Sequence, residues 1–171
     1  MKKTIILAPP GLGKTVAVEE SEKDPTHPLH NRIFDADMAW CEFVHRLALH
    51  KCPEHKDIIL FPFVLSPPSI LRGPFDDLFE LDRTPESKIF LYPSADRTDE
   101  ILDILVARDK TNWSWAEDIA RDIKPLAEFM EKTEFQSIKK VMLPKGKFVG
   151  HFLNQSKDSA DGCCLSVFGL R

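Results

Sequence analysis

At 171 residues and 19.5 kDa, the chain is long enough for one domain that buries most of its apolar surface and short for two. Hydrophobic residues make up 43% and charged residues 29%, a globular composition that excludes the disordered class, and no run reaches the roughly 18 apolar residues of a membrane helix. A formal net charge of −4 gives no global attraction to nucleic acid or anionic lipid, so neither is an expected partner and a polyanionic ligand needs a local basic site.

The opening MKKTIILA begins like a secretory leader, but its apolar stretch Ile5–Ala8 stops at Pro9 and Pro10, too short for the core of a signal peptide. Cys41, Cys52, Cys163 and Cys164 show no C-x-x-C spacing, which fits free thiols in a reducing cytoplasm. No repeat or low-complexity segment divides the chain, and a single domain over 1–171 is expected.

Five short apolar runs predict strands over Thr4–Ala8, Arg32–Phe34, Asp57–Phe61, Lys88–Tyr92 and Ile138–Leu143. Segments of helical spacing separate them, and that alternation predicts an α/β fold with a parallel sheet and crossover helices. Four of the runs are closed by Pro9, Pro62, Pro93 and Pro144; proline donates no ladder hydrogen bond, so these mark the carboxyl ends of strands, where open parallel sheets place ligands. The first helix is expected over Lys14–Glu20. A second, over Met38–Leu49, carries Trp40, Phe43, Val44 and Leu47 as one apolar stripe.

The proline-rich stretch from Val64 to Glu86 predicts a helix or two without fixing their limits. Further on, a helix begins near Asp99, and Ser114 with Glu117 forms a capping-box pattern ahead of Ile119, Ile123, Leu126, Ala127 and Met130. Pro125 is expected to kink or split that helix. Between the two lies the polar link ARDKTNWS, Ala107 to Ser114. The tail from about residue 154 to 171, with its vicinal Cys163 and Cys164, carries no readable pattern.

Ala8-Pro9-Pro10-Gly11-Leu12-Gly13-Lys14-Thr15 matches the phosphate-loop pattern G-x-x-x-x-G-K-[ST] except that alanine replaces the first glycine. In such a loop the backbone N–H groups of Pro10-following residues through Val16 face a phosphate, Lys14 reaches the β- and γ-phosphates, and Thr15 ligates Mg²⁺. Pro10, Gly11, Leu12, Gly13, Lys14, Thr15 and Val16 are therefore the expected ATP-binding residues. The competing reading is an ordinary glycine turn before a helix, which the strand in register and the GKT oppose.

In RIFDADMAW, Asp35 and Asp37 end the second strand two residues apart, a spacing that turns both carboxylates to one side. One would hold a Mg²⁺-bound water and the other would bind the acceptor or take its proton; the alternative is that Asp37 caps a helix starting at Met38. Charge on a transferring phosphoryl group calls for cations, and Arg72, Arg97, Arg108 and Lys110 are the candidates, Arg108 first because its link is short and polar. Cys41, His45, Cys52 and His55 could ligate a metal, at a spacing unlike structural zinc sites. Lys139, Lys140, Lys145 and Lys147 surround the last strand, where the loop after Pro144 is placed to border an adenine; Trp40, Phe61 and Phe63 could stack on a base or fill the core.

Taken together, APPGLGKT on a first strand, FDAD ending a second, the link with Arg108 and VMLPKGKF as a last strand and loop resemble the P-loop kinases of nucleoside monophosphates and small metabolites. The D-x-D resembles the shikimate-kinase and gluconate-kinase branch, and the compact form is similar to small kinases of bacteriophage genomes. The resemblance implies a P-loop NTPase fold with a five-stranded parallel sheet and a lid, here about 107–114. It also implies an ATP- and Mg²⁺-dependent phosphotransferase acting on a nucleotide or small metabolite in the cytoplasm, that of a host if phage-encoded. Lys14, Asp35, Asp37 and Arg108 would be catalytic, Thr15 and Asp35 would serve the metal, and Asp37, Arg72 and Arg97 the acceptor. The chain lacks the NKxD of a GTPase. A non-catalytic or ATP-hydrolysing nucleotide-binding module, or a kinase of a nucleotide within DNA, are the other readings.

Overall fold

The computed structural model describes residues 2–67, 69–109 and 111–158, with side chains as far as Asn154. Strands β1 (Thr4–Ala8), β2 (Ile33–Asp35), β3 (Ile58–Pro62), β4 (Ser87–Pro93) and β5 (Ile138–Leu143) form one parallel sheet in the order β2-β3-β1-β4-β5. β1 is central, with Thr4 to Ala8 opposite Ile58 to Pro62 on one side, and all five of its residues are buried. This is why it reads as a continuous apolar run.

Helices α1 (Lys14–Lys23), α2 (Glu42–Lys51), α3 (Asp76–Asp82), α4 (Thr98–Arg108), α5 (Trp113–Arg121), α6 (Ile123–Lys132) and α7 (Val149–Asp158) cover the sheet. Alternation along β1 divides the core in two. Ile6 and Ala8 pack with Ala17 of α1, Ile101 and Leu105 of α4, Ile119 of α5 and Phe152 of α7. On the other face, Ile5 and Leu7 pack with Val44 of α2, Leu78 of α3 and Met130 of α6.

Several expected boundaries move. β2 ends at Asp35 and β3 at Pro62, so the strands run one residue later than the apolar runs suggest. α2 starts at Glu42; Met38 and Trp40 precede it, and Phe43 is 65% exposed. The buried side of α2 is Val44, His45 and Ala48, so the stripe is rotated by one residue. Asp37 therefore caps no helix, since Cys41 occupies that position. The capping box at Ser114 does not form either: α5 begins one residue earlier, without a side-chain cap, and Glu117 accepts from the Trp113 indole. The split near Pro125 falls at Asp122, which leaves Pro125 in the first turn of α6, where a missing N–H costs nothing. The expected tail opens as the continuation of α7 to Asp158; residues 159–171, including Cys163 and Cys164, lie outside the described residues. Among the described residues no helix is long and apolar enough to cross a membrane.

Candidate functional site

Pro9 to Gly13 connect the carboxyl end of β1 to α1. Gly11 (φ +90) and Gly13 (φ +75) are both left-handed, a conformation that costs a residue with a Cβ roughly 1–2 kcal/mol. At Gly11 space is short as well, because a Cβ there would meet Cγ2 of buried Ile101 at 2.7 Å. At Gly13 the nearest neighbour, Cβ of Phe148, stands at an ordinary 3.6 Å. Gly11→Ala is accordingly expected to destabilise the chain by about 2 kcal/mol and to deform the loop, with Gly13→Ala the milder change; urea unfolding of both variants checks the order.

α1 has no side-chain cap and no acidic residue in its first turn. Among the described residues no hydrogen bond uses the N–H groups of Gly13, Lys14, Thr15 or Val16; the first helical bond is donated by Ala17 to Gly13 at 3.0 Å. These donors and the positive end of the helix dipole are thus free for an anion.

Lys14 leaves this loop and reaches across the end of β3 to β2, where its Nζ donates to Asp35 Oδ1 at 2.6 Å. Both side chains are largely shielded, 14% and 21% exposed. The phosphate-loop motif and the D-x-D motif, twenty residues apart in the chain, therefore meet at one sheet edge. Asp37 lies past the strand end, exposed, and joins Asp35, Met38 and Lys51 in lining a cavity of about 210 Å³ beside α2. Converging backbone donors and a lysine suit a polyphosphate, and the Thr15 hydroxyl with the Asp35 carboxylate offers the hard oxygen ligands that Mg²⁺ prefers.

On the α7 side of the loop a cavity of about 460 Å³ is lined by Gly13, Val16, Ile104, Phe148 and His151. Phe148, at the end of the loop after Pro144, is part of this lining. Arg97 builds this wall. Expected to bind the acceptor, Arg97 is instead fully buried. Its Nη1 donates to the Leu143 and Lys147 carbonyls at 3.0 and 2.7 Å, its Nη2 to Glu100 at 2.7 Å, and its guanidinium lies 5.1 Å from the Phe148 ring centroid. Val149 N–H donates in turn to Leu12 O at 2.9 Å, which ties this loop to the phosphate loop. The arginine thus holds the 143–148 turn and has no donor directed at an acceptor. Sequence spacing gives no sign of this, because an arginine after a strand reads alike as a ligand group or a loop anchor.

The remaining basic candidates are dispersed. Arg72 is exposed and held by Asp77 at 2.6 Å and Glu80 at 3.3 Å. Arg108 ends α4 one turn beyond Leu105, a neighbour of Gly11, and its guanidinium lies 5.5 Å from the Trp115 ring centroid. The 107–114 segment consists of the last residues of α4, a short link and the first residues of α5; Lys110 lies outside the described residues. Lys140 anchors the carbonyls of Met130 and Thr133 at 2.8 and 2.7 Å. Trp40, Phe61 and Phe63 are at most 3% exposed and belong to the core. His45 is buried with Nε2 3.5 Å from Glu86, and among the described residues no group of three or more His, Cys, Asp or Glu is placed to hold a metal.

The sheet and the loop together define a P-loop NTPase-like α/β fold. No protein-family model matches the sequence, and no curated protein does. Solved structures with some similarity include an uncharacterized protein from Eubacterium ventriosum, at 10% identity and TM-score 0.39 over 92% of this chain and 95% of that one. Another is a gluconokinase from Sinorhizobium meliloti, at 11% identity and TM-score 0.36 over 85% and 83%.

Proposed function

We propose that the chain is a phosphotransferase that binds Mg-ATP on the phosphate loop and passes the γ-phosphoryl group to a nucleotide or small-metabolite acceptor. The observation that carries this reading is the 2.6 Å contact between Lys14 and Asp35. It brings Lys14, which we assign to phosphate, and Asp35, which we assign to a divalent ion, into direct contact between the carboxyl ends of central β1 and edge strand β2. Bound ATP would supply the γ-phosphoryl group, with ADP as the leaving group. The chain supplies position and charge, which is most of what a loose phosphoryl-transfer transition state requires.

Within the site, Lys14 exchanges its carboxylate partner for phosphate oxygens. With Lys14 turned to phosphate, the Asp35 carboxylate and the Thr15 hydroxyl would be the residues that hold Mg²⁺, which would supply positive charge to the phosphate oxygens. Asp37, the more exposed carboxylate just past the end of β2, would be the base that takes the proton lost by the acceptor hydroxyl. Arg108 and the 107–114 link act as the lid, which excludes water and limits ATP hydrolysis.

Asp35→Asn and Asp37→Asn are expected to differ. Asp35→Asn raises the Mg²⁺ concentration for half-maximal rate about 10- to 100-fold and is partly rescued by added Mg²⁺, whereas the loss in Asp37→Asn is indifferent to the metal. Initial rates over a Mg²⁺ titration separate the two. Equal, wild-type rates in both variants would reduce the D-x-D to a structural feature.

A further inference from the structure

A third cavity, of about 560 Å³, opens beyond the carboxyl end of β3, between residues 64–67 and 74–75 on one side and the α5–α6 corner on the other; Val64, Phe75, Trp115, Arg121 and Asp122 are among its lining residues. A crevice of about 10 Å³, room for a single water, lies between it and the phosphate loop: Val64, Leu65, Ile119 and Asp122 line both spaces, and Pro9 and Pro10 line the crevice. The cavity's volume is that of a small-molecule site.

Its walls are fixed from behind. Phe75 stacks on Phe129 at 3.8 Å between centroids and 5° between planes, and Trp115 is backed by the Arg108 guanidinium. Asp122 sits at the break between α5 and α6. Its N–H donates to Ile119 O and its carbonyl accepts from Leu126 N–H, which fixes the backbone. Among the described residues its carboxylate has no hydrogen-bond partner. Burial holds the Asp122 carboxyl above the ordinary carboxylate range, with Arg121 drawing it down and Asp118 pushing it up again.

Charge decides what fits. The described lining carries Asp118 and Asp122 against Arg121 alone, and Arg121 is already 3.1 Å from Asp118. Arg72, the nearest expected cation in sequence, is taken by Asp77 and Glu80. A phosphate monoester placed here would meet carboxylates without a free cation, which desolvation makes unfavourable. A hydroxyl donor, by contrast, adds no charge and gives the half-buried Asp122 carboxylate, which has no protein hydrogen-bond partner among the described residues, a directed one in place of water.

We propose that this cavity binds the acceptor, that the acceptor is a hydroxyl-bearing molecule with an apolar or ring face and no phosphate group, and that Asp122 accepts a hydrogen bond from one of its hydroxyls. The inference rests on the phosphotransferase reading and narrows it against nucleoside monophosphates.

The test reads melting temperature for the full chain saturated with Mg²⁺ and the non-hydrolysable analogue AMPPNP. Matched pairs are added: thymidine and its 5′-monophosphate, cytidine and its 5′-monophosphate, glucose and glucose 6-phosphate, glycerol and glycerol 3-phosphate. At least one unphosphorylated member is expected to raise the melting temperature by about 2–4 °C, its phosphate ester not. Asp122→Asn removes that rise and keeps the one produced by Mg-AMPPNP, which also reports that the variant is folded. Should Asp122→Asn not fold, Trp115→Leu, on the same α5 wall, reads the same loss. Stabilisation by an ester in preference to its parent, by no member of either set, or undiminished in the variant overturns the assignment. Absence of any rise with Mg-AMPPNP itself would refute the phosphotransferase reading, and this inference with it.

Discussion

Replacing Lys14 by alanine is expected to lower phosphoryl transfer by about 10²- to 10³-fold, the scale seen when one preorganised charge stabiliser is removed from a transition state. The loss falls on turnover, because the lysine meets charge that develops as the phosphoryl group moves. The fold is expected to persist. Asp35 loses its 2.6 Å partner, but at 21% exposure its carboxylate has access to water in place of the ammonium. Circular dichroism and melting temperature near wild type, together with collapsed turnover, is the expected pair of results. Full turnover in Lys14→Ala would remove the kinase reading.

The second large effect is on stability. Arg97→Met leaves the Leu143 and Lys147 carbonyls without their guanidinium and Glu100 without its cation. Breaking a buried charge network of this kind costs about 3 kcal/mol, or roughly 6–12 °C in melting temperature for a chain of this size. A pH dependence distinguishes this cause from a mere change of packing. The Arg97 hydrogen bond is the main reason that the Glu100 carboxyl lies below its usual value of 4.5, desolvation opposing it. A depressed carboxylate contributes stability that is present above its unfolded pKa and lost as pH falls through the folded one. The gap between wild type and Arg97→Met should therefore be full near neutrality and narrow below about pH 4.5. A gap that is independent of pH would contradict the assigned role of the ion pair. Because the 143–148 turn carries Phe148 into the cavity beside Gly13, the Michaelis constant for ATP is expected to rise in the same variant.

Much of the fold was legible because its signals are local. β1 is apolar from Ile5 to Ala8 since it is buried on both faces, and the glycines at positions 11 and 13 mark a backbone that glycine adopts without strain. Proline at strand ends reported the carboxyl edge in the same way. The helix α2 was misplaced because Trp40 is buried by tertiary packing before the helix starts, which imitates helical spacing. For the candidate site, both motifs were legible at strand ends, whereas the 2.6 Å contact between Lys14 and Asp35 was not, since the strand order that brings β2 near β1 leaves no mark in the sequence. The partners of Arg72 and Arg97 were not, because a guanidinium's function depends on which carboxylates and carbonyls the fold brings to it. Asp122 gave no signal at all: its interest arises from a helix break and from the two cavities that flank it, and neither leaves a pattern in the chain.

Whether the loop from Pro9 to Thr15 holds Mg-ATP is decided by calorimetric titration of ATP, with Mg²⁺ present, into the wild-type chain and into Lys14→Ala. The expected result is one site per wild-type chain, strengthened by Mg²⁺ and weakened or lost in Lys14→Ala. Absence of binding to the wild-type chain at millimolar nucleotide, or binding that Lys14→Ala leaves unchanged, would contradict Mg-ATP binding at the loop.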